Sequence, residues 1–154
     1  MALNDEVERL RQVPLFAQIE PAKLKLLAFT SERLRFESGQ VLFRQGDVGD
    51  AAYVVLSGNA DVLVSKGASD IKVSSVGPNS IVGEIAILCD VPRTATVKAV
   101  SALDTLKIKN DQFRWLLKEF PEIAVEVMRV LADRLSRTTA ELTEARSALA
   151  ARAP

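Results

Sequence analysis

Apolar residues in the first thirty positions recur at helical spacing. Val7, Leu10 and Val13 follow Asn4, a candidate N-cap, and an acidic start at Asp5 and Glu6; Pro14-Leu15-Phe16 breaks that helix. Glu20-Pro21 opens a second helix, with the proline in its first turn and Leu24, Leu27 and Ala28 on one face. From Leu34 to Ile108 the spacing changes to short alternating runs: Leu34 and Phe36 among charged neighbours, then residues 41–43, 53–56, 60–64, 71–76, 96–100 and 105–108. Turn residues separate them at Gly39, Gly46-Asp47, Gly49-Asp50, Gly58-Asn59, Lys66-Gly67 and Gly77-Pro78-Asn79.

After Asn110 the helical period returns. Asn110 or Asp111 caps a helix carrying Phe113, Leu116 and Leu117, and Pro121 introduces a long final one. Along it Met128, Leu131, Leu135, Thr138, Leu142, Ala145 and Leu149 alternate steps of three and four, a heptad seam. Arg129, Asp133, Arg137 and Glu141 form a flank of alternating charge, expected to be solvated. The seam's first part is expected to pack on the chain's own barrel. Beyond Leu135 it extends past what a small barrel can cover, and a parallel helix pair between two subunits is the expectation there. The Ala-rich end, running to Pro154, is expected to fray. The fold class predicted is mainly β with flanking helices: a double-stranded β-helix (jelly roll) of about eight strands, with N-terminal helices and a long C-terminal helix. One domain is expected over 1–154, with helices at 1–32, a β-roll at 33–109 and lid or dimerisation helices at 110–154.

Charge and composition narrow the chemistry. Twenty basic residues balance twenty acidic ones among 154, leaving no electrostatic footprint for nucleic acid or an acidic membrane surface. No apolar run is long enough to span a bilayer, and the N-terminus lacks the pattern of a signal peptide. The single cysteine, Cys89, cannot form an internal disulfide, which fits a reducing cytoplasm; it reads as a small packing residue. There is no histidine, so Ser-His-Asp and Cys-His catalysis and His-rich metal sites are excluded, and an enzyme is not expected.

The informative segment runs from Gly77 to Val97. A strand ends at Gly83, whose missing side chain lets a ligand approach the backbone, and a helical turn begins at Glu84. The N–H groups of Ile85 and Ala86 would then be free for an anion. Arg93, just beyond the turn, could return a planar fork to that anion, and Glu84 could accept a hydrogen bond from a sugar hydroxyl. For an isolated glutamate and arginine at this separation, a surface ion pair worth about 0–1 kcal/mol is the competing reading.

Gly83-Glu84-Ile85-Ala86, then Leu88, then Pro92-Arg93-Thr94-Ala95 resemble the phosphate-binding cassette of the cyclic-nucleotide-binding domains. That family includes the catabolite activator protein and the regulatory subunit of cAMP-dependent protein kinase. The likeness extends upstream through the run from Gly39 to Asp47, Tyr53 and Leu56-Ser57-Gly58, covering about Val13 to Leu142. It implies that Arg93 binds the cyclic phosphate and Glu84 the ribose 2′-hydroxyl, with backbone contacts from Gly83, Ile85 and Ala86 and Ala95 on the wall. Thr94 would reach the phosphate, and in the family a threonine there often favours guanine. Arg134-Leu135-Ser136-Arg137-Thr138-Thr139 resembles the activator protein's final helix, which makes Thr138 and Thr139 candidates for base contact. Arg134 is an alternative lid stacked on the base. Two positions depart from the family pattern: Val82 stands for an aromatic and Asn79 for a turn glycine, though asparagine tolerates positive φ.

The resemblance implies a sensor whose ligand, cAMP in preference to cGMP, biases the C-terminal helices; no resident cofactor or metal is expected. The chain reaches Pro154 without a helix-turn-helix, so the expected partners are the nucleotide, a second copy and an unidentified effector protein, with no nucleic acid and no membrane. A degenerate β-roll serving only as a dimerising scaffold is the alternative.

Overall fold

The computed structural model describes residues 2–152. Helix α1 (Ala2–Arg11), a 3-10 turn (Pro14–Phe16) and α2 (Pro21–Thr30) precede the strands. Helix α1 starts at Ala2, so Asn4 lies inside its first turn rather than before it. Pro21 occupies the first turn of α2, and Leu24, Leu27 and Ala28 are its buried residues, as the spacing requires.

Among the described residues eight strands follow: β1 (Glu32–Phe36), β2 (Val41–Phe43), β3 (Ala51–Ser57), β4 (Ala60–Lys66), β5 (Ser69–Val76), β6 (Ile81–Val82), β7 (Thr96–Ala99) and β8 (Leu103–Lys109). They form two four-stranded antiparallel sheets, in the orders β1-β8-β3-β6 and β2-β7-β4-β5. Helix α3 (Glu84–Cys89) separates β6 from β7, and α4 (Asn110–Glu119) and α5 (Pro121–Arg152) end the chain. The predicted two-sheet roll is therefore present. The two-residue β6 has no periodicity of its own and is the strand that alternation cannot reveal.

Strand β3 explains how the layers join. Its residues 51–55 are all buried because both faces are covered. Ala52 and Val54 point toward the helices, with Leu10, Phe16, Leu24, Phe113 and Leu116. Tyr53 and Val55 point between the sheets, with Leu42, Val97, Ala99 and Leu103. A period of two thus feeds two cores at once. Strand β8 repeats the device, sending Leu106 and Ile108 to the helical side and Leu103 to the other.

Helix α5 has 32 residues, about 48 Å at the helical rise. Ile123 and Val127 are buried and Leu131 packs against the helical core. Met128, placed on the barrel by the heptad reading, is 59% exposed instead, as are Leu135 (68%), Leu142 (53%) and Leu149 (66%). The helix runs unbroken to Arg152, so the described part of the Ala-rich end is ordered helix; Ala153 and Pro154 lie outside the described residues. Helix α4 begins at Asn110 with Lys109 as its N-cap residue, one position earlier than expected. Cys89 is exposed rather than packed.

Gly58-Asn59 carries the chain from β3 in one sheet to β4 in the other. Gly58 has φ +90°, and a Cβ there would sit 2.1 Å from the Ala102 carbonyl oxygen. Gly58→Ala is expected to destabilise the domain by about 1–3 kcal/mol, lowering the melting temperature by at least about 2 °C. An unchanged thermal unfolding curve would contradict that strain.

Candidate functional site

Strand β6 delivers the chain to Gly83, which turns it into α3 with φ 84°. A side chain at Gly83 would place its Cβ 2.5 Å from Arg93 Nη1 and 3.1 Å from the Ala51 carbonyl oxygen, so the position needs glycine on both counts. Ala86 and Ile87 root α3 in the interior. From the outside, the Arg114 guanidinium donates to the Ile87 carbonyl at 2.9 Å and ties α4 to the short helix. The helix ends at Asp90, whose φ of 53° reverses the chain. Asn79, the other non-glycine residue with positive φ among the described residues, has φ 70°, as asparagine's tolerance of the left-handed region allows.

Two backbone bonds then fix Arg93. Its N–H donates to Asp47 O and its carbonyl accepts from the Gly46 N–H, both at 2.8 Å. The 44–47 turn is itself closed by the Arg44 N–H donating to Asp47 Oδ2 at 3.1 Å.

The side chain of Arg93 is buried, the residue being only 3% exposed. Its Nη1 donates to Gly83 O at 2.9 Å, and its Nη2 donates to Ala51 O at 2.6 Å and lies 3.5 Å from Asp50 Oδ1. The guanidinium plane lies over the Phe43 ring, 4.0 Å from its centroid. Its Nε is buried with no hydrogen-bond partner among the described residues. Burial lowers the guanidinium's pKa from the usual arginine value, while Tyr53, Asp50 and Asp47 oppose that shift. Arginine nonetheless stays charged under ordinary conditions.

Glu84, 1% exposed, does not pair with Arg93. Its Oε1 accepts from Arg134 Nη1 at 2.7 Å, and the same guanidinium donates through Nη2 to Ile81 O at 2.9 Å. Burial pushes the Glu84 carboxyl up from its ordinary value, and the Arg134 charge beside it pulls it back down. The competing reading of a Glu84–Arg93 surface pair is thereby replaced: both side chains are interior, and each has a different partner.

Both face one cavity of about 210 Å³. Gly83, Glu84, Ile85, Ala86, Arg93, Thr94 and Ala95 line it from the roll, and Arg134 and Thr138 from α5. Nine of the ten residues selected from the sequence thus converge on a single space. Thr139, the tenth, is exposed and does not line it, because one residue further along a helix points about 100° away. The sequence reading omitted Phe43, Val62, Ser74 and Ser75, which also line the space; Arg137 and Glu141, of the flank expected to be solvated, are exposed and also stand along the cavity. The spacing 127, 131, 134, 138, 141 marks that inner face of α5 at the true helical period; the heptad seam drew attention away from it.

A β-roll with a buried carboxylate and a buried guanidinium facing one cavity offers complementary groups to a small ligand carrying anionic and hydroxyl groups. The chain belongs to the cyclic nucleotide-binding domain family, whose sequence model residues 33–120 match. It is 29% identical over 140 residues to a CRP-like cAMP-activated global transcriptional regulator of Mycobacterium tuberculosis, a match covering 89% of this chain and 62% of that protein. The catabolite activator protein of Thermus thermophilus superposes with a TM-score of 0.74 at 28% identity, covering 84% of this chain and 62% of the other. A cAMP-binding acyltransferase from Mycobacterium smegmatis superposes at 0.75 with 30% identity, covering 88% and 42%. The chain spans less than two thirds of the length of each of these relatives.

Arg93 also supports the fold itself. Its loss would leave Gly83 O and Ala51 O without their donors, at a cost of about 1–3 kcal/mol for each buried acceptor. Arg93→Met is therefore expected to lower the urea midpoint of the nucleotide-free protein, and an unchanged midpoint would show that these two bonds are dispensable.

Proposed function

We propose that this domain binds a 3′,5′-cyclic nucleotide and acts as a ligand-switched regulatory module on a separate partner, without catalysis of its own. One observation carries the reading: Arg93 and Glu84, both interior, face a shared cavity without neutralising each other. The cyclic phosphate would lie toward Arg93, where the buried Nε–H lacks an acceptor, and beside the first-turn amides of α3. The ribose 2′-hydroxyl would reach Glu84, and the base would lie toward α5 at Thr138. Preference for cAMP over cGMP is supported by the position of Thr138 and by the relatives whose names specify cAMP. Thr94, which leans to guanine, lines the same space, so the two nucleotides are compared directly. No helix among the described residues is long and apolar enough to cross a membrane, and a cytoplasmic setting belongs to this proposal.

Parallel calorimetric titrations are expected to give saturable binding of both nucleotides, tighter for cAMP. Arg93→Lys keeps the charge and loses the fork; it is expected to weaken cAMP at least about tenfold, since a charge-assisted hydrogen bond contributes about 1.5–3 kcal/mol. Absence of binding by the folded parent protein would favour the scaffold reading.

The exposed Met128, Leu135, Leu142 and Leu149 stand seven residues apart, and a parallel pair of α5 helices from two copies would cover them. Leu142→Glu is expected to convert a dimer to a monomer by light scattering without loss of helix content. A parent protein that is monomeric at calorimetric concentrations would remove the pairing.

A further inference from the structure

We propose that the groove along the outer edge of β2 docks an extended, acidic segment of a partner protein, laid beside the strand. Three observations carry it.

The first is an uncovered backbone edge. Strand β2 is the outermost strand of its sheet, and β1 is the outermost of the other. The two edges meet where the chain crosses between the sheets at 37–40. An edge strand presents N–H and C=O groups that no neighbouring strand pairs. Residues 40–44 cover about 17 Å at the extended rise, enough to pair with a segment of about five residues.

The second is shape. A groove of about 510 Å³ follows that edge, against about 210 Å³ for the cavity that Arg93 and Glu84 face. Phe36, Leu42 and Phe43 supply its apolar lining, with Leu42 buried and the two rings half-buried. Gln40, Arg44 and Asp47 are exposed along it. Apolar and polar groups thus lie together beside a free backbone edge. That suits an extended polypeptide, which makes main-chain bonds to the strand and sets side chains into the groove.

The third is charge. Among the described residues, the Arg44 guanidinium has no ion-pair or hydrogen-bond partner. Gln40 gives its amide oxygen to the Glu37 N–H and keeps its NH2 as a donor. Asp47 accepts the Arg44 N–H through Oδ2 and has acceptor capacity left. The complement of this set is a side-chain carboxylate at Arg44 and an N–H at Asp47. An extended acidic segment carries both.

The groove also ends on the residues that set Arg93. Phe43 lines both the groove and the cavity, and its ring centroid lies 4.0 Å from the guanidinium. Asp47 O accepts the Arg93 N–H. A partner seated here touches the support of the site, which suits a regulatory module. That link to regulation rests on the nucleotide reading of Arg93; the docking does not.

The test is made without nucleotide, so that it succeeds or fails apart from that reading. A displayed library of random heptapeptides is panned on the full chain and on Arg44→Glu, a change at an exposed side chain. Sequences combining apolar positions with at least one acidic residue are expected to be enriched on the parent alone. A synthetic copy of one is expected to bind Arg44→Glu at least about fivefold more weakly. The same peptide with lysine in place of the acid is expected to recover affinity for the variant. N-methylation of alternate peptide amides is expected to abolish binding, and hydrogen exchange at residues 40–44 to slow when the peptide is bound. No enrichment, equal binding to Arg44→Glu, indifference to N-methylation, or protection elsewhere than at β2 overturns the proposal. Exchange at 40–44 that slows with protein concentration alone assigns the groove to a second copy and overturns the partner segment.

Discussion

A guanidinium taken out of water brings five N–H donors with it, and each needs an acceptor or a π face in the interior. Arg93 finds two such acceptors in the backbone, and its Nε has none among the described residues. Its two bonds run to Gly83 O, at the entrance of the cassette, and to Ala51 O, at the start of the strand shared by both cores. Phe43 covers its face. One side chain therefore closes the 83–93 segment into a loop and presses it against β2 and β3. The lack of a side chain at Gly83 is a condition of that closure, because any Cβ would enter the space of Nη1. The Gly46 and Asp47 backbone bonds set the height from which Arg93 descends. Without this buried charge, the short α3 would keep its buried Ala86 and Ile87, the bond from Arg114 and the contact of Glu84 with Arg134, while the cassette would lose its direct tie to β3.

Helix α5 answers to two periods at once. Ile123, Val127, Leu131, Arg134, Thr138 and Glu141 advance by three or four residues and follow the helix's own 3.6-residue turn, first into the core and then along the cavity. Met128, Leu135, Leu142 and Leu149 advance by seven and hold to a straight seam only if the helix supercoils around another. The first stripe is apolar where it meets the core and polar where it meets the cavity. The second stays apolar where it meets solvent. The two stripes belong to one continuous helix, so the face along the cavity and the face toward solvent are fixed relative to each other.

Much of this was legible in the residues, for identifiable reasons. Strand alternation and glycine turns exposed the roll because strands such as β3, β7 and β8 bury one face or two, and Asn79 kept its turn because its side chain tolerates positive φ. The cassette was legible because glycine, glutamate, proline and arginine hold separate roles at fixed spacing. The partners of the charged groups were not. Which acceptor Arg93 takes depends on β3 and β6 arriving beside it, some 42 and 10 residues away in sequence. The partner of Glu84 comes from 50 residues downstream. Local spacing cannot encode such meetings. The heptad seam also misled in part, because it is a property of one side of α5 and says nothing of the side that faces the roll; Met128 was misplaced for that reason.

The two charges of the site are held in different ways, and that determines what binding would involve. Arg93 gives two donors to Gly83 O and Ala51 O, bonds that hold the cassette to β3, and its Nε is left without a partner among the described residues. Glu84 gives Oε1 to Arg134, and a carboxylate has a second oxygen with acceptor capacity of its own. An anion at the first group and a hydroxyl at the second would therefore add contacts while the bonds that shape the site stay in place. Buried charges of opposite sign, each anchored by a partner other than the other, keep the cavity between them polar at both ends, which an ion pair between the two would have removed.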